Sequence, residues 1–523
     1  MVQLRKPNRG RRAVPVTLSA PTGGLNGRDS FTDMPPTDAF VMDNWFPYNT
    51  SVDTRGGCAE FSTGLPAAVE SLEVYTGAAG AKMLAFSNGG IYDVTAGGAV
   101  GAALASGKTS NKVTSAMFSN AGSQFLLIYS GADQPLSYDG TTLTGLTITG
   151  MTGSQNTLHS PHAFKGRMFL AQADEIGFYY LAVGAIQGAA SYFDLQQQAL
   201  KGGALAAITS VSQDSGNGPE DYALFVTTEG EYILYSGTDP SNAATWALAG
   251  RYYGPAPIGK KGWFKFRSDV YFITEEGILS FTQIRQMGEE NADAQYLTSK
   301  LGRLFVDQTR DYKDVHGWCG IIYPRGTALY INMPLTPTTS GQYCQYVMNT
   351  NTNAWTRYTG WNGICWALLS GRAYYGTYDG RVMLADDGFT DDDDEIVAVC
   401  RQAWNSFDDE NGMGEADKHF HQASFAMSAD GTPALSCALN VNFEDDRPGA
   451  ATAIATSSEA VWDLAEWDTD SWAGTQVTTT VPVPVGKIGY IASLWVQAAW
   501  RASSVRWYAT RIILEKTKGV LLQ

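Results

Sequence analysis

The chain of 523 residues is poor in charged side chains and has no long apolar run. Charged residues make up 17% of the sequence, and its 56 glycines indicate a turn-rich β protein rather than a helical bundle. Stretches with helical periodicity are few and short. No apolar run approaches the roughly 18 residues that a membrane-spanning helix needs. Because no apolar segment follows the basic N-terminal residues, we expect no signal peptide there.

Cysteine is scarce as well, and no two cysteines form a CxxC pair. Thiols scattered through a long chain without a signal sequence are usually reduced and packed inside the protein. We therefore expect buried thiols and no zinc site. The six residues concerned are Cys58, Cys319, Cys344, Cys365, Cys400 and Cys437.

Positive charge is limited to 36 lysines and arginines against 52 acidic residues. The net charge of −16 and the isoelectric point of about 4.8 argue against a dedicated nucleic-acid-binding face. A basic arm nevertheless occupies the N-terminus. Two interpretations of this arm stay open: a disordered, soluble tail, or a segment that docks on an acidic partner or on nucleic acid. The predicted partner-binding residues are Arg5, Lys6, Arg9, Arg11 and Arg12.

A strand, a turn closing on glycine and a second strand recur at a pitch of roughly 50 residues, which is typical of propeller blades. Apolar, β-branched or aromatic residues flank each turn, so each copy is expected to close as a hairpin. We predict an all-β fold, a β-propeller of about six to eight blades with seven as the preferred count. The clearest copies are Met83–Thr95, Phe125–Thr142, Ala223–Tyr235, Val270–Thr282 and Ala373–Asp386.

The distribution of these hairpins suggests four regions. Residues 1–20 are expected to form the flexible basic arm, and residues 21–66 an irregular docking segment whose aromatic side chains anchor it. Residues 67–390 are expected to form the propeller. The remaining residues, 391–523, alternate apolar and polar side chains, which predicts a β-sandwich-like region or an additional docking layer.

Two segments approach a phosphate-binding loop without meeting its requirements. Ala102–Thr109 has alanine at the first position and no clear helix after it, although the phosphates of such a loop sit on a helix N-terminus. Gly254–Lys261 lacks the magnesium-binding Ser or Thr, and its two prolines remove amide donors. We interpret both segments as ordinary loops.

No other pattern indicates catalysis, a metal or a cofactor. His419 and His421 would point the same way on a strand, but no third ligand lies nearby in the sequence. The acidic run 391–395 lacks the pattern of a calcium loop and is interpreted as a solvated, self-repelling linker. No G-x-S-x-G nucleophile motif occurs. The chain is therefore expected not to be an enzyme.

Several phrases resemble the tail nozzle proteins, also called tail tubular protein B, of short-tailed bacteriophages. The resemblance covers most of residues 21–390 and fades beyond. Its phrases are structural rather than catalytic. They include Gly23–Asn26, Met34–Ala39, Asp43–Pro47, Val52 with Arg55–Gly57, Gly131–Leu136, Tyr138–Gly140, Phe164–Phe169, Ala223–Gly259 and Tyr346–Gly360.

The resemblance implies a structural virion protein that assembles in the host cytoplasm and forms a homohexameric nozzle ring at the phage tail. Such a ring would lie below the portal and the tail adaptor, and it would hold tail fibres or a needle. Viral DNA would pass through it during ejection without sequence-specific binding, because an acidic lumen repels phosphates. Two alternatives stay open: a phage-tail propeller that binds or degrades glycans, and a monomeric propeller that serves as a binding module.

Overall fold

The computed structural model describes residues 13–78, 80–214, 219–287, 295–336, 341–407, 416–429, 434–449, 452–453, 477–500 and 504–517. These residues form two compact units. The propeller comprises Ala59–Tyr346 and Gly360–Ala385, and the two-sheet unit comprises Met1–Cys58, Val347–Thr359 and Asp386–Gln523.

The strands up to residue 100 are β1 (Val14–Ser19), β2 (Gly24–Leu25), β3 (Asp38–Asp43), β4 (Trp45–Pro47), β5 (Val52–Thr54), β6 (Cys58–Thr63), β7 (Val69–Gly77), β8 (Gly80–Ser87), β9 (Gly90–Asp93) and β10 (Gly98–Ala99). The next group is β11 (Thr114–Ser119), β12 (Gln124–Tyr129), β13 (Leu136–Tyr138), β14 (Leu143–Gly145), β15 (Ile148–Thr149), β16 (Leu158–Phe164), β17 (Arg167–Gln172), β18 (Phe178–Tyr180), β19 (Gly188–Ala189) and β20 (Ser191–Phe193).

The following strands are β21 (Leu205–Asp214), β22 (Pro219–Thr227), β23 (Glu231–Gly237), β24 (Trp246–Tyr253), β25 (Trp263–Phe266), β26 (Asp269–Ile273), β27 (Ile278–Ser280), β28 (Cys319–Tyr323), β29 (Ala328–Pro334), β30 (Tyr343–Asn349) and β31 (Trp355–Tyr358). The last are β32 (Cys365–Leu369), β33 (Arg372–Gly376), β34 (Val382–Ala385), β35 (Ile396–Gln402), β36 (Lys418–Ala429), β37 (Ala434–Val441), β38 (Thr452–Ala453), β39 (Val477–Gly489), β40 (Ala492–Trp500) and β41 (Val505–Lys516). The helices are a 3-10 turn (Gln155–Thr157), α1 (Phe281–Gln286) and α2 (Arg303–Tyr312).

The all-β prediction is confirmed, and the recurring hairpins are pairs of neighbouring strands in small antiparallel sheets. Blades 1 to 6 are β7-β8-β9, β11-β12-β13-β14, β16-β17-β18-β20, β21-β22-β23-β24, β25-β26-β27 and β28-β29-β30. Blade 7 contains β32-β33-β34. The described part of the propeller thus holds seven blades, which is the preferred count from the sequence.

Apolar cores between successive blades close the ring. Single buried clusters join blades 1 and 2, 2 and 3, 3 and 4, 4 and 5, and 7 and 1. Blade 6 completes the circuit because β28 lies against both β25 and β32. Between blades 3 and 4 the rings of Phe178 and Phe225 stack with their centroids 4.4 Å apart. Each such fully buried ring contributes roughly 1.5–3 kcal/mol through removal of apolar surface from water.

Blade 7 is completed by a strand from the opposite end of the propeller sequence. Strand β6 lies next to β34, and β10 pairs with β6 in parallel, which extends the sheet to five strands. The ring is thereby closed by hydrogen bonds as well as by packing. This arrangement removes the unpaired edge that β34 would otherwise present.

The two-sheet unit contains the described part of the region that was predicted to be sandwich-like, and it also draws strands from distant parts of the chain. One sheet has the order β39-β36-β41-β5-β4, with β1 on β41. The other contains β31-β2-β3-β35-β40-β37-β38. The segment 21–66 was expected to be irregular, but it supplies strands β2 to β5 to the same unit as the C-terminal residues and β6 to the propeller.

The N-terminal arm is shorter than the sequence predicted. Residues 14–19 were expected to be flexible, but they form β1, which pairs antiparallel with β41 from Val14 opposite Leu514 to Ser19 opposite Ala509. The alternating sequence VPVTLS suits an edge strand, where Pro15 needs no donor partner. The predicted partner-binding residues Arg5, Lys6, Arg9, Arg11 and Arg12 lie outside the described residues.

A buried guanidinium organises the two-sheet unit and pairs with the first residue of the acidic run, whereas residues 392–395 are exposed, as expected of a solvated run. The side chain of Arg55 is 1% exposed and forms a two-pronged ion pair with Asp391, the first residue of that run. Arg55 Nε also donates to Asn44 Oδ1 at 2.8 Å, and Nη2 donates to the Thr359 carbonyl at 2.7 Å. Pairing of this kind fixes both partners because the fork of Arg matches a carboxylate.

The glycine after this arginine permits a close approach of two backbone segments. A Cβ placed on Gly57 would lie 2.0 Å from the carbonyl oxygen of Thr390 and 2.6 Å from its nitrogen. Backbone atoms on one side cannot rotate away as a side chain could. Only glycine therefore fits where the chain passes the start of the acidic run.

We expect Gly57→Ala to lower the free energy of unfolding by about 1–3 kcal/mol, because the added methyl overpacks a rigid contact. The matched control is Gly101→Ala, since a Cβ there meets no atom within 4 Å. Urea unfolding of both variants measures the effect. Equal stability of the two variants would contradict the close approach.

Candidate functional site

The propeller encloses a cavity along its axis, between the first strands of the blades. Its volume is about 230 Å³. The first strand of each blade is the innermost, so neighbouring first strands contact one another around the ring. Every blade contributes to the lining, through Glu73, Ser115, Ser160, Ile208, Lys261, Cys319 and Trp366 in blade order.

An ion pair crosses this cavity between blades 1 and 5. Lys261 Nζ lies 2.6 Å from Glu73 Oε1, and Ser115 Oγ donates to Glu73 Oε2 at 2.5 Å. Burial would lower the pKa of Lys261, but the Glu73 carboxylate reverses this and holds the pKa above its ordinary value. Lys261 is thus protonated, and the Glu73 carboxylate already balances its positive charge.

The neighbouring lysine points to a different blade. A Cβ on Gly131, in the loop between β12 and β13, would lie 2.9 Å from Lys260 Nζ, so this amine lies against the backbone of blade 2. Burial lowers the pKa of Lys260, and Asp174 opposes the shift. Both lysines belong to the loop Gly254–Lys261, which in the sequence resembles only an imperfect phosphate-binding loop. No helix follows it, and β25 begins at Trp263.

A second cavity of about 430 Å³ shares Thr114, Lys260 and Lys261 with the first. Lys112 and Lys313 also line it, together with Asp314 and His316. No local pattern in the sequence predicts this grouping, because the residues come from separate blades and from the segment after α2.

The histidines near the axis are neutral. His316 Nε2 donates to the Glu70 carbonyl at 2.7 Å, and burial, assisted by nearby lysines, lowers its pKa to about 4. Burial and then Lys260 lower the pKa of His159 to about 4 as well. His162 on the same strand has a pKa of about 4 from burial and Lys265. None of these rings is poised as an acid near neutral pH.

The cavity residues offer cations and neutral hydrogen-bonding groups rather than an activated nucleophile. Burial raises the pKa of the Cys319 thiol to about 12, so the sulfur stays protonated and weakly nucleophilic. In the part of the chain that the structure describes, no three His, Cys, Asp or Glu side chains are arranged to hold a metal. The site suits recognition of an anion better than covalent chemistry.

Apart from Cys319, the other residues considered in the sequence analysis do not line this cavity. His419 and His421 are neighbours on β36, with ring centroids 4.2 Å apart, and His421 Nε2 lies 3.3 Å from Glu515 Oε2. The segment Ala102–Thr109 is a loop. All six cysteines are thiols, and Cys58, Cys344, Cys365 and Cys400 are buried. Among the described helices, none is long and apolar enough to cross a membrane.

Comparison with known proteins gives no family. No family profile matches the chain, and no curated protein matches it. Among solved structures, the computationally designed Ika8 protein has 10% identity and a TM-score of 0.35, over 63% of this chain and 99% of that one. BBS1N in complex with ARL6DN has 8% identity and a TM-score of 0.38, over 64% and 98%. Raptor of Chaetomium thermophilum has 12% identity and a TM-score of 0.40, over 65% and 29%. These scores are too low to indicate a function.

Proposed function

We propose that this chain is a structural, non-enzymatic virion protein that forms the homohexameric tail nozzle ring of a short-tailed bacteriophage. It would bind the tail adaptor and the tail fibres or needle, and viral DNA would pass through the ring without sequence-specific contacts. The net charge of −16 supports this role, because a negative wall does not retain phosphates.

The observation that carries the proposal is the position of the nozzle-like phrases in the fold. In GGLN and MPPTDA, Asn26 Nδ2 donates to Asp38 Oδ2 at 2.8 Å. In DNWFP, the Asp43 carboxylate forms a two-pronged ion pair with Arg357, with both distances 2.7 Å. In the phrase that contains Arg55–Gly57, Arg55 likewise forms a two-pronged ion pair, with Asp391. These contacts support the architecture, as expected of a scaffold, although the end of the phrase Ala223–Gly259 also lines the larger cavity.

The propeller axis itself is unsuited to DNA. The cavity holds about 230 Å³ and is crossed by the Lys261–Glu73 ion pair. The major groove of B-DNA alone is about 12 Å wide, so a duplex does not fit into a cavity of this volume. We therefore place the proposed conduit between copies of the chain, with each propeller as part of the wall.

The test is electron microscopy and native mass measurement of the full chain, alone and with its adaptor, together with imaging of the virion. A six-fold ring at the tail tip is the expected result. A monomer at every concentration, even with the adaptor present, would overturn the proposal. Release of oligosaccharides from host polysaccharide would favour the glycan-degrading alternative instead.

Removal of residues 1–12 is expected to weaken ring or adaptor assembly while leaving the thermal melt unchanged, because this deletion removes the basic residues but keeps β1. Removal of residues 1–20 takes away β1 as well and should also lower the melting temperature. Sedimentation with the adaptor and calorimetry separate the two effects. Unchanged assembly after the shorter deletion would make the arm a passive tail.

A further inference from the structure

Among the side chains that line the axial cavities, lysines outnumber carboxylates, against the sign of the whole chain. Four lysines and two carboxylates line them, a formal excess of two positive charges. The whole chain, in contrast, has a net charge of −16. The charged lining residues are Lys112, Lys260, Lys261, Lys313, Glu73 and Asp314.

The four lysines differ in how well they are neutralised. Lys261 pairs with Glu73 at 2.6 Å and Lys313 with Glu275 at 2.6 Å. Lys112 lies 3.9 Å from Glu70, at the limit of an ion pair. No described carboxylate lies within 4.0 Å of Lys260 Nζ, and Asp174 acts on it only from a longer distance. Lys260 is therefore the lining lysine for which the described residues provide no ion-pair partner.

Lys260 is an exposed residue in the cavity lining, so its ammonium is open to an incoming anion, and a charge-assisted hydrogen bond to a phosphate or carboxylate oxygen would stabilise the complex. Partial desolvation by the cavity wall lowers the pKa of Lys260, and Asp174 opposes this shift. His159 and His316 lie at the site as neutral rings and do not add to its charge. The larger cavity, at about 430 Å³, falls within the range of roughly 300–1,000 Å³ found for small-molecule sites.

We propose that the axial cavity of the propeller binds a small polyanion bearing phosphate or carboxylate groups. Lys260 is its main contact, and Lys112 and Lys313 lie at the mouth. Lys261 stays paired with Glu73, so it stabilises the lining of the cavity and does not bind the ligand. This inference does not depend on the nozzle role, because the cavity lies within one chain.

The test is calorimetric titration of the full chain with tripolyphosphate and with citrate, at an ionic strength held constant with sodium chloride. The two probes separate phosphate from carboxylate recognition. We expect saturable binding of at least one probe at about one site per chain. Lys260→Met should weaken it about tenfold, the effect of losing one charged contact. The matched control is Lys165→Met, which removes a surface lysine paired with Asp221 at 3.4 Å.

Thermal melts of the ligand-free variants show whether they are folded. If Lys260→Met does not fold, Lys112→Met replaces it, with an expected loss of about threefold from removal of a charge at the mouth. Absence of saturable binding for both probes would overturn the proposal. Equal affinities of the Lys260 or Lys112 variant and the Lys165 control would overturn it too.

Discussion

Lowering the pH from 7 to 5 is expected to destabilise the propeller by several kcal/mol. Burial holds the pKa of His159, His162 and His316 at about 4 in the folded chain, whereas an unfolded histidine has a pKa of about 6.5. Between these values the unfolded chain binds more protons, so the free energy of unfolding falls as the pH falls. Each histidine is expected to account for about 1–2 kcal/mol of the loss in the free energy of unfolding between pH 7 and pH 5.

Urea unfolding at pH 7, 6 and 5 measures this dependence. His316→Gln should remove about a third of the difference between pH 7 and pH 5, because glutamine can still donate to the Glu70 carbonyl but does not titrate. Carboxylates with a lowered pKa lose their contribution only below about pH 3.8, outside this window. A stability that is flat from pH 7 to pH 5 would show that these rings are solvated.

Arg55→Met is expected to lower the free energy of unfolding by about 3–5 kcal/mol. The substitution leaves Asp391, whose side chain is 16% exposed, without the guanidinium that pairs with it. Breaking a buried ion pair from one side costs this much because a charge stays buried and uncompensated. The Asn44 side chain and the Thr359 carbonyl also lose a charged donor.

The double variant Arg55→Met with Asp391→Asn tests that explanation. It should be more stable than Arg55→Met alone, because the uncompensated charge is gone. Arg310→Met is the surface control, since Arg310 is 69% exposed and its pair with Asp307 should contribute less than about 1 kcal/mol. If the double variant were no more stable than the single one, loss of packing rather than charge would explain the effect.

The blades could be predicted from the sequence because their hairpins are local. In Ala223–Tyr235 a glycine turn joins two strands whose side chains alternate over a few residues, so the signal is complete within one window. The two-sheet unit could not be delimited in this way. Its strands β1 and β41 lie near opposite ends of the described chain, and no local pattern tells that Val14 lies opposite Leu514.

The axial site could not be predicted from the sequence either, because it also depends on contacts between distant residues. Lys260 and Lys261 appear in the sequence only as the end of an imperfect phosphate-binding loop. The position of Lys261 depends on its ion pair with Glu73, nearly 190 residues away, and that of Lys260 on the blade 2 backbone at Gly131. The acidic run gave the opposite problem: its charge indicated solvation, but the partner Arg55 lies 336 residues upstream.

The pairing of β1 with β41 joins nearly the first described residues to nearly the last. During synthesis, β7 to β34 can assemble blade by blade as they leave the ribosome, since most of their contacts are between neighbours. Strands β2 to β5 find partners earlier, in one another and in β31 and β35, but β1 must wait unpaired until residue 505 and beyond have been translated. Completion of the two-sheet unit is thus the last step of maturation, and a chain truncated near its end would carry finished blades beside an unfinished sheet.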